Sequence, residues 1–300
     1  MSRVYIDGSS GTVGLALQLH LPKLAHDGLV SDVITLSPEE RRNDKVRQEA
    51  MAAADVVVLC LPDEAARPAV RMAHQANPKV RILDASAAHR CAPDWVYGLP
   101  EITPMADISN ARYVANPGCF ATACVLAARP LSPLLFPPAS RELDVMLSYP
   151  SMSFQGFTGK SAGGRKMLGD DRVGSLPKLA QFGLKHRHLP EIELHGRVTP
   201  MLTTMVGDWY KGMLVQSQVA LPADQVLDAY AAAYDDREVI VRTAASMGHS
   251  VNPQLCNDTN LVHIVVAEQA NGYSAIAVVL DNLGKGSAGA AADNLRLMLS

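Results

Sequence analysis

The opening stretch narrows the fold more than anything that follows it. "VYI" (4–6) is a short β-prone run. Asp7-Gly8-Ser9-Ser10-Gly11-Thr12-Val13-Gly14 comes next, and then the helix-like "LALQLHL". Strand, glycine turn and helix in that order are what a dinucleotide-binding βα unit requires. Glycine permits the tight turn and lets backbone N–H groups approach a pyrophosphate, whose charge the helix N-terminus then faces. The spacing is G-x-x-G-x-x-G rather than G-x-G-x-x-G, so a plain glycine-rich turn competes with the phosphate reading. Gly8, Ser10, Gly11, Thr12, Val13 and Gly14 are the candidate cofactor residues here.

The next segments supply context. "DVITLS" (32–37) reads as a second strand ending at Ser37, with Arg41 and Arg42 close behind. An acidic residue at that strand end would favour a free ribose hydroxyl; serine and arginine favour a 2′-phosphate, hence NADP(H) over NAD. A solvated charged loop over "PEERRNDK" is the alternative. "ADVVVLCLP" (54–62) is a continuous apolar run of the kind buried on both faces of a parallel sheet. "DEAARPAVRMAHQA" reads as a helix with Asp63 as N-cap, and "KVRILDAS" (79–86) as another strand. Strand–helix alternation to about residue 115 predicts a doubly wound α/β sheet of Rossmann type. Ligands of such sheets lie beyond the carboxyl ends of the strands, where Cys60, Leu61, Pro62 and Ser86 fall.

The second half has a different pattern. "MLTTMVGDWYKGMLVQSQVAL" and "NLVHIVVAEQANGYSAIAVVLDNL" read as long strands, the latter a hairpin turning at Asn271-Gly272. "DQVLDAYAAAYDD" between them reads as a helix. An α+β domain with a mostly antiparallel sheet follows. "DNLGKGSAGAAADNLRLML" (281–299) runs from a glycine turn into an amphipathic helix. At 300 residues and 48% hydrophobic content the chain can bury two cores. Net charge is −3 with no basic block, which argues against nucleic acid as a partner. No apolar run reaches the roughly 20 residues of a membrane span, and "MSRVYIDG" does not resemble a signal peptide. A soluble, cytoplasmic protein with reduced thiols is expected.

Five cysteines stand at 60, 91, 119, 124 and 256 with no Cys-x-x-Cys pair, so neither a metal site nor a disulfide framework is indicated. Cys119 is the one placed for chemistry. "RYVAN" (112–116) reads as a strand, Pro117-Gly118 breaks it, and "CFATACVLAAR" has helical composition. Cys119 thus opens a helix just beyond a strand end, where partial positive charge favours the thiolate. Backbone N–H groups around Gly118 and Cys119 could face a developing oxyanion. Cys60, Cys91, Cys124 and Cys256 read as small packing residues.

A nucleophilic thiol needs a proton carrier. "LKHRHLPEIE" (184–193) offers His186, His188 and Glu191. In an extended segment the two imidazoles point the same way, and Pro190 argues against a helical Leu189. The carboxylate could hold one imidazole in a chosen tautomer. Metal binding and a solvated histidine pair are the rival readings. His195 is the reserve candidate. "SYPSMSFQGFTGKSAGGRKM" (148–167) reads as a glycine- and serine-rich loop whose Lys160, Arg165 and Lys166 suit an anionic substrate, or as a mobile surface loop.

Taken in order, the glycine turn, "NPGCFAT", "KHRHLPEI" and "DNLGKGSAGAA" resemble N-acetyl-gamma-glutamyl-phosphate reductases of the shorter type, as do "LSPEERR", "ADVVVLCLPDEAAR" and "DASAAHR". The resemblance implies an NADPH-dependent reduction of an acyl phosphate to an aldehyde in arginine biosynthesis, on a semialdehyde dehydrogenase-like fold. It implies Cys119 as nucleophile, His186 and His188 as the histidine pair with Glu191 beside them, and Asn282 and Gly286 near the cofactor. It places Asn116, Ser161 and Arg165 on the substrate side, although the loop 155–166 departs from the family's pattern. Residues 1–116 with 282–300 would form the NADP-binding domain, and 117–281 the catalytic and oligomerising domain of a homodimer or homotetramer. Aspartate-semialdehyde dehydrogenase and aminoadipyl-phosphate reductase share the fold plan and the cysteine chemistry; "HRHLPEI" favours the first assignment. A redox sensor with Cys119 as an oxidisable switch would leave the histidines and the cationic loop without purpose.

Overall fold

In the computed structural model of the chain, residues 1–135, 149–163, 176–234 and 238–300 are described. They form two compact units, Met1–Gly118 with Ser287–Ser300, and Cys119–Gly286.

The apolar runs of the first unit become six strands: β1 (Ser2–Asp7), β2 (Val30–Ile34), β3 (Val56–Leu59), β4 (Arg81–Asp84), β5 (Val96–Tyr97) and β6 (Tyr113–Ala115). Their order is β2-β1-β3-β4-β6-β5 and every pairing is parallel. A parallel sheet needs helices on both faces, and alternating side chains show both being covered. Val4, Ile6, Val56 and Val58 pack with Leu17, Leu24, Leu295 and Met298. Tyr5, Val57 and Leu59 point the other way, onto Met51, Ala66, Ala69 and Ala73. Truncating a side chain such as Leu295 to Ala would cost about 2–5 kcal/mol, the range for a fully buried leucine.

Three expectations are corrected in this unit. The first helix is Thr12–Gln18, and a second, Leu21–His26, begins after a turn. Asp63 is not an N-cap: Pro62 holds that place, and Asp63 Oδ1 instead accepts the Ala87 N–H at 2.8 Å. β2 ends at Ile34, before Ser37. The Ser37 hydroxyl accepts the Glu40 N–H at 3.2 Å, and Glu40 Oε2 accepts the Ser37 N–H at 2.8 Å.

The second unit holds seven strands: β7 (Ser151–Thr158), β8 (Lys178–Ala180), β9 (Thr199–Val206), β10 (Met213–Val219), β11 (Val239–Thr243), β12 (Val262–Glu268) and β13 (Ser274–Leu280). The order is β11-β12-β13-β10-β7-β9-β8. β11–β12 and β7–β9 run parallel and the other pairs antiparallel, so the sheet is mixed. The β12–β13 hairpin turns where expected, with Asn271 at φ 62° and Gly272 at φ 74°. β7 corrects a sequence expectation. The glycine- and serine-rich composition of "SMSFQGFT" reads as loop, yet Met152, Phe154, Gly156 and Thr158 alternate with outward residues. That period of two makes it an interior strand.

The helix Cys119–Ala128 packs on this sheet and is buried from Phe120 to Ala128, as its all-round apolar sequence demands. Its last carbonyls find partners in two tyrosines. Tyr234 Oη donates to the Leu126 carbonyl and Tyr230 Oη to that of Ala127, each at 2.7 Å. This fixes the helix axially and so fixes where its first residue, Cys119, stands.

Candidate active site

The glycine turn of the first unit is a cradle that side chains would fill. Gly8 has φ +89°, and a Cβ on it would lie 2.4 Å from the Cys60 carbonyl oxygen. A Cβ on Gly14 would lie 2.4 Å from the Gly8 carbonyl oxygen. The Gly11 N–H donates to that same Gly8 carbonyl at 2.9 Å, and Gly11 precedes the Thr12–Gln18 helix. The bare backbone at this strand end, in front of Ser10, Thr12 and Val13, fits a dinucleotide phosphate. Both arginines are exposed, and Arg41, which donates to the Ser10 hydroxyl, is the one turned to the turn. Arg47, which the sequence reading passed over, pairs with buried Asp7 at 2.7 Å.

The neighbouring strand ends carry the other candidates. Burial pushes the Cys60 thiol up to about 12, with Asp84 and Asp7 adding to it, so this sulfur stays protonated. Leu61 lies against Gly8, and Pro62 caps the helix Asp63–Ala76. Ser86 donates its hydroxyl to Asp84 Oδ2 at 2.7 Å. Fully buried Asp84 also meets His89 Nδ1 at 2.6 Å, and the His89 ring stacks on Trp95 at 4.2 Å. Asn116 is occupied internally: its amide donates to the Ser287 carbonyl at 3.0 Å and accepts from Asn294 at 3.0 Å. Cys91 is exposed rather than buried, in the connection after β4, where chain runs over the surface.

In the second unit, Cys119 is partly buried and opens its helix. The next residue, Phe120, sets its ring 5.6 Å from His186 and 6.5 Å from His188. The two imidazoles stand edge to face at 4.8 Å. Their segment is a turn rather than extended: His188 is the N-cap of the helix Leu189–Gly196, with φ −86° and ψ −6°. Leu189 is therefore helical, because Pro190 falls in the first turn, where no backbone N–H is needed. The His188 N–H donates to His186 Nδ1 at 3.2 Å. Burial, with Arg187 adding to it, pushes His186 down to about 4, so its imidazole is neutral with the proton on Nε2. His188 and Glu191 are buried, each 2% exposed. Burial raises the Cys124 thiol, with Cys119 and Glu191 adding to it. His195 offers its carbonyl to Arg129 at 3.0 Å.

Gly286 completes the surroundings of the thiol. A Cβ on Gly286 would lie 2.8 Å from Cys119 Cβ. Asn282, four residues earlier, accepts the Gly212 N–H at 2.8 Å and donates to the Ser161 hydroxyl at 2.9 Å, with both side chains 2% exposed. Arg165 and Lys166 lie outside the described residues; Lys160 pairs with Asp208 at 2.5 Å. Among the described residues, no three His, Cys, Asp or Glu side chains gather as a metal site, and no helix is long and apolar enough to cross a membrane.

Two family models match in sequence order. Residues 3–111 fit "Semialdehyde dehydrogenase, NAD binding domain" and residues 119–282 fit "Semialdehyde dehydrogenase, dimerisation domain". The chain is 36% identical to an N-acetyl-gamma-glutamyl-phosphate reductase of Burkholderia lata, over 99% of this chain and 96% of that one. It is 34% identical to the reductase of that name from Brucella anthropi, over 99% and 98%. The chain belongs to the N-acetyl-gamma-glutamyl-phosphate reductase family. Among solved structures, aspartate semialdehyde dehydrogenase II of Vibrio cholerae, complexed with ASA, aligns at TM-score 0.73 and 14% identity, over 99% of this chain and 98% of that one. The Candida albicans enzyme with NADP aligns at TM-score 0.67 and 13% identity, over 100% and 98%. At those identities the likeness establishes a shared fold with the wider semialdehyde dehydrogenases, an NAD-binding domain followed by a dimerisation domain.

Within this reductase family member, sequence reasoning missed the residues that brace the site. Asp84 and His89 are only five positions apart, a signal present in "DASAAH". Lys211 and Asp281 meet across 70 positions and Lys285 and Glu238 across 47, and no local pattern announces such pairs.

Proposed function

We propose that this protein reduces N-acetyl-L-glutamyl 5-phosphate to N-acetyl-L-glutamate 5-semialdehyde and phosphate, with NADPH as reductant, as a step of arginine biosynthesis. The observation that carries the reading is the setting of Cys119: a thiol at the head of a buried helix, followed by a phenylalanine packed on two imidazoles. The names of relatives at 34–36% identity supply the substrate.

The helix N-terminus favours the Cys119 thiolate. The thiolate attacks the acyl carbon, the carbon–oxygen bond to phosphate breaks, and phosphate leaves a thioester on the sulfur. The first unit's glycine cradle, with Arg41 beside it, would hold NADPH, whose chemistry when bound would be hydride donation to the acyl carbon. The imidazole that took the Cys119 thiol proton gives it to the oxyanion left by hydride addition, then takes it back as the carbon–sulfur bond breaks with its electron pair returning to sulfur and the aldehyde departs. We assign the proton transfer to His188. His186 is too weak a base near neutral pH, and its Nδ1 already accepts a hydrogen bond, so it orients the pair. Ser161 and Asn282 form one polar edge of the substrate site.

A second copy pairs through the sheet of the second unit, making a homodimer or a homotetramer built from such dimers, and the reactive thiol suits a reducing cytoplasm. The test is a reverse assay with N-acetylglutamate semialdehyde, phosphate, and NADP or NAD. Turnover should require phosphate, prefer NADP and exceed that with aspartate semialdehyde. Cys119→Ser should lose essentially all turnover while NADPH still binds. Near-normal turnover in that variant ends the scheme, and a preference for aspartate semialdehyde reassigns the substrate.

A further inference from the structure

The turn that carries Gly286 is held from behind by a charge pair to which nothing above gives a chemical task. Asp281 is 1% exposed. Its Oδ1 accepts the Leu283 N–H at 2.9 Å, and its Oδ2 accepts the Asp258 N–H at 2.8 Å. Its main-chain carbonyl accepts the Gly286 N–H at 2.9 Å. One residue therefore closes the turn at both ends, and the closed turn sets Gly286 against Cys119 Cβ. The carboxylate is neutralised by Lys211, whose Nζ lies 2.9 Å from Asp281 Oδ2 and 2.6 Å from Asp258 Oδ1. Lys211 sits between β9 and β10, with its own carbonyl accepting from Asn257 at 3.1 Å. The next residue, Gly212, has φ +104° and donates its N–H to Asn282.

We infer that Lys211 is a positioning residue for the nucleophile: its ammonium fixes the Asp281 carboxylate, and through the 281–286 turn it sets the place of Cys119. The inference rests on the reading of Cys119 as the nucleophile. The physical reason is asymmetry. Asp258 is 84% exposed on its side chain and water can serve it, whereas the side chain of Asp281 is 1% exposed and depends on a partner. Removing the cation leaves a buried charge uncompensated, and the cheapest relief is to open the turn. Opening it frees Gly286 from Cys119 Cβ, and small displacements of a reacting group are costly. A pair that only staples the β9–β10 connection would alter stability and leave the thiol alone.

The test uses the full-length protein, in the reverse assay, with iodoacetamide as the probe of Cys119. Lys211→Gln should lower kcat on the order of 10- to 100-fold, with KM for semialdehyde and for NADP unchanged, and should slow alkylation of Cys119. Lys211→Arg should restore most of both rates. Asp281→Asn keeps the shape of the carboxylate, serves as the second variant should Lys211→Gln fail to fold, and should lose kcat in the same way. Asp258→Asn should behave as the parent. Normal kcat in a folded Lys211→Gln or Asp281→Asn protein overturns the inference, as does lost stability with unchanged alkylation. Cys119→Ser in the same assay separates the two readings. If it turns over, the nucleophile assignment fails; if it is silent and the Lys211 variants are normal, only the positioning role fails.

Discussion

Gly8 and Gly286 are both glycines that no larger residue replaces freely, for different reasons. Gly8 needs a left-handed backbone, φ +89°, and sits where a Cβ would strike a carbonyl oxygen. Gly286 has no such φ; its missing side chain makes room for Cys119. The first unit builds its candidate site from backbone at the ends of parallel strands, with Arg41 as a cation turned onto the glycine turn. The second builds its site from side chains drawn from the Cys119 helix, the His186–His188 turn, the Ser161 turn after β7 and the 281–286 turn. A backbone site is broken by adding atoms, and a side-chain site by removing them.

The sharpest way to break that contrast is at the histidines. His188→Asn should lower kcat about 10²- to 10⁴-fold, the usual worth of a general acid–base group, while NADPH affinity stays at the parent value. His186→Asn should cost less, because that imidazole is neutral and orienting. Steady-state kinetics with fluorescence titration of NADPH reads both. A larger loss at His186 would exchange the two roles, and loss of cofactor affinity at either would erase the division between the sites.

The two glycines come next. Gly286→Ala adds a methyl group 2.8 Å from Cys119 Cβ and should lower kcat on the order of tenfold or more, with cofactor affinity unchanged. Gly8→Ala should weaken NADPH about tenfold, since left-handed backbone costs an alanine about 1–2 kcal/mol, and should leave the iodoacetamide rate of Cys119 unchanged. If both variants lose the same quantity, whether affinity or kcat, the two turns are not separate devices.

The same contrast explains what could be read from the sequence. Backbone sites at strand ends are local, so "VYIDGSSGTVG" and "ADVVVLCLP" announce the strands, the turn and Cys60 together. Cys119 is equally local, being strand, break and helix within a dozen residues. β7 was masked because the glycine and serine content of "SMSFQGFT" outweighs an alternation that only Met152, Phe154, Gly156 and Thr158 reveal. Leu189 was misread because the usual bias before proline yields in the first turn of a helix, where a missing N–H costs nothing. Arg47 with Asp7, and Lys211 with Asp281, are 40 and 70 positions apart. Their meeting is set by the packing of whole elements, which no window of sequence contains.

The smallest effect expected is on stability, and it separates the two imidazoles without any substrate. Burial pushes His186 down to about 4, whereas the unfolded chain titrates it near 6.5. Between those values the unfolded chain binds the extra proton, so stability rises with pH across the window and is lost as pH falls from about 6.5 toward about 4. His186→Gln keeps a polar side chain and removes the titration. The melting temperature of the parent should therefore fall faster than that of the variant on going from pH 6.5 to pH 4, by a few degrees at most. His20, His74 and His263 are also pushed down by burial, but they are common to both proteins and drop out of the difference. Parallel melting curves across the window would mean that His186 charges as freely in the fold as out of it. The acid–base role could then no longer be given to His188 on the ground that its neighbour stays neutral.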